Sequence, residues 1–76
     1  MQDLIRILVQ ALVDRPEKVV VSEVESDHVS IFEVSVDQTD TGKLIGKHGR
    51  NAEALRTLVN AVAAKHRRRT LVQILA

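Results

Sequence analysis

Residues 42–51 read Gly-Lys-Leu-Ile-Gly-Lys-His-Gly-Arg-Asn. They hold all three glycines of a 76-residue chain, together with Lys43, Lys47 and Arg50. Glycine adopts positive φ without penalty and leaves peptide groups open to close approach. Cations beside such a backbone attract an anion, so the chemistry on offer is phosphate recognition. One geometry for it is the Walker loop, which needs four residues between its glycines and then Gly-Lys-Ser/Thr. Here only Lys43, Leu44 and Ile45 separate Gly42 from Gly46, and His48 stands where the magnesium-binding hydroxyl belongs. The dinucleotide spacing Gly-x-Gly-x-x-Gly is absent as well. The other geometry is a corner between two helices. Gly46 and Gly49 then flank a two-residue tip, Lys47-His48. The first N–H groups of the second helix, backed by the positive end of its dipole, face the same way. That arrangement holds a phosphate. A corner that needs glycine only to turn is the plainer alternative.

Other chemistries find little support. The chain has no cysteine, so neither a disulfide nor a thiolate metal site is available. His28, His48 and His66 share no ligand spacing, which argues against a metal. Ser22, Ser26, Ser30 and Ser35 lie far from the glycine window and lack a base partner. We expect no catalytic residue, no cofactor and no enzyme.

Charge divides the chain. Residues 1–42 carry nine acids and three bases, a net −6; residues 43–76 carry eight bases and one acid, a net +7. The overall +1 hides this asymmetry, which suggests one side facing a polyanion. The length fits one domain, residues 1–76, with a thin core. No apolar run approaches the roughly 20 residues of a membrane span. Met1-Gln2-Asp3-Leu4 is not expected to start a signal peptide. Ile74-Leu75-Ala76 is expected to end the chain inside a strand, without a tail.

The elements that must position the window follow from periodicity. Leu4, Ile5, Leu8, Ala11 and Leu12 recur at helical spacing and predict a helix over 2–14, stopped near Arg15 by Pro16. Two β-branched runs, 18–25 and 29–37, joined by a short polar link, predict an antiparallel hairpin. In the second run Val29 and Ile31 share one parity, while Phe32, Val34 and Val36 share the other. A bulge near Ile31-Phe32, or burial of both faces there, would reconcile them. Asp40 or Thr41 is placed to cap a short helix, Gly42 to Ile45. A long helix runs from Arg50 to about Arg68, with Ala52, Leu55, Leu58, Val59, Val62 and Ala63 on one stripe. Residues 70–75 read as the last strand. The order α-β-β-α-α-β predicts an α+β fold: a three-stranded mixed sheet, its third strand parallel to the second if the two are neighbours, with three helices on one face.

With this context the stretch LIGKHGRNAEAL resembles the signature of KH domains, whose Gly-x-x-Gly loop clamps about four nucleotides of a single strand. The resemblance spans essentially the whole chain, and the element order is that of the type II arrangement. Among KH proteins the chain is similar to the bacterial single-KH RNA-binding proteins of the KhpA (YlqC) type. The resemblance implies a cytoplasmic protein that binds single-stranded RNA, as a post-transcriptional regulator or RNA chaperone. It also implies self-association as a homodimer and pairing, as a heterodimer, with a larger KH-containing partner of the KhpB/Jag type. Residue by residue, Gly46 and Gly49 match the loop glycines and Lys47 and His48 its variable pair. Ile45 matches the apolar position before the loop, and Arg50 opens the next helix. Lys43 adds charge, and Ala52 and Leu55 would help line a groove for bases. Phe32 is the only aromatic residue, so no stacking platform is available to add the roughly 1–3 kcal/mol per base found elsewhere. Binding is expected to be weak and salt-dependent, with Kd from about micromolar to about 100 micromolar. A protein-interaction domain that has given up RNA, and a phosphotransfer enzyme, are the competing readings.

Overall fold

The structure is a computed structural model that describes residues 1–75; Ala76, the last residue of the expected apolar ending, lies outside the described residues. In chain order it contains α1 (Gln2–Leu12), β1 (Val20–Ser26), β2 (Val29–Ser35), α2 (Thr41–Ile45), α3 (Arg50–Lys65) and β3 (Arg69–Ile74). Short 3-10 turns lie at Pro16–Lys18, Gln38–Asp40 and Lys47–Gly49. This is the α+β arrangement expected from the sequence.

Helix α1 ends two residues earlier than the apolar spacing suggests. Val13 is already extended, and the backbone N–H groups of Asp14 and Arg15 donate to Asp40 Oδ1 and Oδ2 at 3.2 and 3.0 Å. Asp40 therefore does something other than capping α2. It stands at the N-cap position, but its side chain makes no cap hydrogen bond. With 1% of its surface exposed, it is spent on the chain leaving α1. The loop before α2 is held by Asp37, whose carboxylate accepts from the backbone N–H and hydroxyl of Thr39. Those two bonds, with the nearby charges of Arg15 and Lys18, hold the Asp37 carboxyl below its ordinary value of 3.8.

The strand order is β1-β2-β3, with β2 antiparallel to β1 and parallel to β3. The hairpin register runs without interruption from Val20 opposite Ser35 to Ser26 opposite Val29, so of the two ways to reconcile the parities the bulge is not there. Ser30, Phe32 and Val34 point to the helices and are buried, while Val29 and Ile31 lie half-buried on the other face. Phe32, 1% exposed, centres the core; burying a side chain of this kind contributes about 1.5–3 kcal/mol. Around it pack Ile5 and Val9 from α1, Val21 and Val34 from the hairpin, Leu44 from α2, Leu55 and Val59 from α3, and Val72 from β3.

Helix α3 stops at Lys65 rather than near Arg68. His66 leaves the helical region, and Arg67 takes a left-handed φ of +54°. The N–H of Arg68 then reaches the carbonyl of Ala63, and that of Arg67 the carbonyl of Ala64. This is a Schellman ending, with arginine where glycine is usual. Strand β3 starts directly after it.

Candidate nucleic-acid interface

The corner between α2 and α3 is built from three residues of positive φ. Gly46 has φ +78° and ψ 171°, His48 φ +58°, and Gly49 φ +73°. The first glycine closes α2, its N–H donating to the carbonyl of Gly42 at 2.9 Å. The last one sits at the N-cap of α3 in the left-handed region. Between them Lys47 and His48 are exposed. Neither α3 nor the 3-10 turn before it has a side-chain cap. A Ser or Asp at the N-cap would satisfy first-turn donors. A glycine cannot; the N–H groups of Gly49 and Arg50 bond to the carbonyls of Gly46 and Lys47, and the next amides of the turn are left to solvent or to an anion, with the helix dipole behind them.

Asn51 was not singled out by its sequence spacing, yet it holds the corner together. Its Nδ2 donates to the carbonyl of Lys43 at 2.9 Å, tying the last turn of α2 to the first turn of α3. Gly46 lies directly against it: a Cβ on Gly46 would fall 2.7 Å from Asn51 Cγ and 2.9 Å from its backbone N. Gly49 has no such neighbour: a Cβ there would meet nothing within 4 Å. A local signal for Asn51 was its place two residues after the second glycine, where a short amide reaches back across the turn.

The cations named by the sequence do not all serve alike. Lys47 and Arg50 are exposed beside the tip. Lys43 instead donates to Asp14 Oδ2, and this bond lifts its pKa above the ordinary 10.5. Lys43 thus stays fully charged but starts out paired. Ile45 is partly exposed at the end of α2. Ala52 and Leu55 are buried at 4% and 3% exposure; their side chains serve the core, and what they give to a groove is its shape.

Two further surfaces adjoin the corner. Along α1 and α3 runs an apolar depression of about 230 Å³, lined by Leu8, Ala11, Leu12, Asn51, Ala54, Leu55 and Leu58. Leu58 belongs to the sequence stripe of α3 but is 51% exposed, and Ile7 on α1 is 61% exposed. On the other side of α3, Arg56 Nε donates to the carbonyl of Val72 at 3.3 Å and Thr70 Oγ1 to Asn60 Oδ1 at 2.8 Å. These bonds dock α3 onto the free edge of β3. Among the described residues no group of His, Asp and Glu is placed to hold a metal ion. No described helix is long and apolar enough to cross a membrane.

Comparison with known proteins agrees with this geometry. The family model described as KhpA/KhpB, KH domain, matches residues 2–74. A protein named RNA-binding protein KhpA from Caldanaerobacter subterraneus is 44% identical over 75 residues, covering 99% of this chain and 100% of the relative. Its namesake from Clostridium perfringens shows the same identity and coverage. The one from Borreliella burgdorferi is 44% identical over 73 residues, covering 96% of this chain and 89% of its own. No solved structure matches. A βααβ unit around a glycine corner, extended in front by a helix and a strand and matched from end to end by these relatives, has one reading: the chain belongs to the KhpA/KhpB family of KH domains.

Proposed function

We propose that this chain is a non-enzymatic RNA-binding protein, a single KH module that holds single-stranded RNA at the corner of residues 46–49. The observation that carries the reading is the uncapped start of α3 behind a tip whose glycines hold it at positive φ. A sugar–phosphate backbone meets no Cβ at Gly46 or Gly49 and has Lys47, His48 and Arg50 beside it; the N–H groups of Gly49 and Arg50 are taken by the carbonyls of Gly46 and Lys47, so the amides offered to a phosphate are the next ones of the first turn of α3. Lys43 joins once it leaves Asp14. The names of the relatives support RNA as the ligand. With one aromatic residue, Phe32, buried in the core, affinity rests on phosphate contacts and shape, and it falls steeply with salt. The natural setting is the cytoplasm, in post-transcriptional regulation or RNA chaperoning.

The test replaces Lys47 and His48 with Asp, confirms folding by circular dichroism, and titrates short RNAs at two salt concentrations. Binding should be lost with the fold intact. Undiminished binding removes the corner from the mechanism. A second observation favours self-association as well: Leu12 and Leu58 leave apolar surface exposed along the α1–α3 depression, more than a lone helix stripe explains. A second copy, or a larger KH-containing partner of the KhpB/Jag type, would cover it and raise avidity for RNA. Leu58→Asp should then yield a monomer in sedimentation; an unchanged mass removes this face from the interface.

A further inference from the structure

The helices cover one face of the sheet, and the other face carries a pattern of its own. Strand register sets its outward side chains in rows across the sheet. Val24, Ile31 and Leu71 make one such row, apolar on all three strands, where the solvent side of a sheet is ordinarily polar. Val24 is 49% exposed and Leu71 53%. One row toward the hairpin turn, Arg69 stands beside Val29; one row the other way, Glu33 stands beside Gln73. Arg69 and Glu33 are the only charged outward residues of the three strands, and among the described residues neither forms an ion pair. The adjacent Arg68 turns the other way. On the helix side its Nη2 lies 2.7 Å from the Ser30 hydroxyl and 3.3 Å from Glu25 Oε1.

Such a face has nothing for a polyanion, and one charge of each sign suits no partner of uniform charge. It does suit a copy of itself. Two sheets stack about 10 Å apart. With a two-fold axis along the row Val24–Ile31–Leu71, the apolar row lies on its own copy and strand direction reverses. Arg69 of one chain then comes over Gln73 of the other, with Glu33 one strand, about 4.8 Å, to the side. The Arg69 and Glu33 Cα atoms are about 11 Å apart, a gap that the two side chains close by reaching toward each other. The axis makes this pair twice. An axis along the strands would instead set Glu33 against Glu33 and leave Arg69 over Ser26, so the charges choose the orientation.

We propose that the open face of the sheet is a self-association surface, joined to a second copy across the Val24–Ile31–Leu71 row and keyed by two Arg69–Glu33 pairs. It is distinct from the α1–α3 contact, which lies on the helix layer, and it does not depend on RNA. Three strands of six or seven residues span about 20 by about 14 Å in plan, a small footprint beside the ~800 Å² that each partner of a standard interface buries. The contact is therefore weak in a lone pair. It acts when copies are concentrated or already joined through their helices, and it carries association past the dimer.

Sedimentation from micromolar to millimolar protein tests this, first in the Leu58→Asp background, where the helix contact is removed. That chain should be monomeric when dilute and dimeric when concentrated. Arg69→Glu or Glu33→Arg alone sets like charges against each other and should weaken the dimer by about tenfold or more. The double swap should restore it, an outcome that misfolding cannot produce. Leu71→Asp should abolish it, with thermal melts confirming the fold. The same series with Leu58 intact covers the case of a Leu58→Asp chain that does not fold: growth of mass with concentration should shrink in the single swaps and return in the double. A folded Leu58→Asp chain that stays monomeric at every concentration overturns the proposal. Single swaps that associate like their parent, or a double swap that stays apart, overturn it too. If the swaps lower affinity for RNA and leave the mass unchanged, the face meets nucleic acid and the proposal falls. Failure of the α1–α3 reading shows separately, as a dilute Leu58→Asp mass equal to that of the wild type.

Discussion

Alanine at the two loop glycines should have unequal consequences, although a motif treats them as equivalent. At Gly46 the backbone sits at φ +78° and ψ 171°, a region essentially restricted to glycine and costing other residues about 1–3 kcal/mol. The added Cβ would also stand 2.7 Å from Asn51 Cγ and 2.9 Å from both Asn51 Cβ and N, and relieving such overpacking costs about 1–3 kcal/mol more. Gly46→Ala should therefore destabilise the protein by about 2–6 kcal/mol. A chain of this size has a total stability of about 4–11 kcal/mol, so the variant should be marginal or unfolded. At Gly49 the conformation is left-handed, with ψ 15°, and the Cβ would meet nothing within 4 Å. Gly49→Ala should cost only the left-handed strain, about 1–2 kcal/mol. It should stay folded, with Tm lowered by about 4–8 °C per kcal/mol. Urea unfolding followed by circular dichroism measures both. Asn51→Ala added to Gly46→Ala should not restore stability, because Asn51 Cβ and N remain in place. Equal losses at the two glycines, or rescue by Asn51→Ala, would refute this account of the corner.

Further expectations concern the charged groups. Asp40→Ala strips the acceptor from the N–H groups of Asp14 and Arg15. Two unsatisfied donors should cost about 2–4 kcal/mol in urea unfolding, where an exposed aspartate would cost almost nothing. Asp14→Asn releases Lys43 from its partner and should steepen the salt dependence of RNA binding by up to about 0.7; an unchanged slope would mean Lys43 stays off the RNA. Asp37 has a carboxyl held below 3.8 in the fold, first by the Thr39 hydroxyl. Its contribution to stability is therefore complete above the unfolded value and is lost as pH falls through the lower folded value. The difference in urea midpoint between wild type and Asp37→Asn should be constant near neutrality and shrink below pH 3.8; a difference that persists at lower pH would contradict the Thr39 contacts.

The sequence by itself determined the element order and the glycine corner; it made the third strand parallel to the second only if the two are neighbours, and the fold makes them so. These follow from local rules: helical and strand periodicity, Pro16 ending α1, and glycines where positive φ is needed. Its boundaries were less secure because ends are decided by distant partners. Helix α1 stops at Leu12 because Asp40, 26 residues from Asp14 in the chain, accepts its N–H. The apparent phase break in β2 needed no bulge, since a buried Ser30, satisfied by Arg68, continues the inward parity of Phe32 and Val34. A serine gives no hydrophobic signal, so only the partner 38 residues away explains it. Within the site, Gly46, Lys47, His48, Gly49 and Arg50 were legible as a local cluster. The pairing of Lys43 with Asp14, the role of Asn51 and the separation of Arg68 from its neighbours were not. Leu58 shows the same limit: its spacing puts it on the buried stripe of α3, but the packing leaves it half open. A periodic pattern fixes which residues share a face of a helix; how far that face is covered depends on the neighbours that folding brings to it.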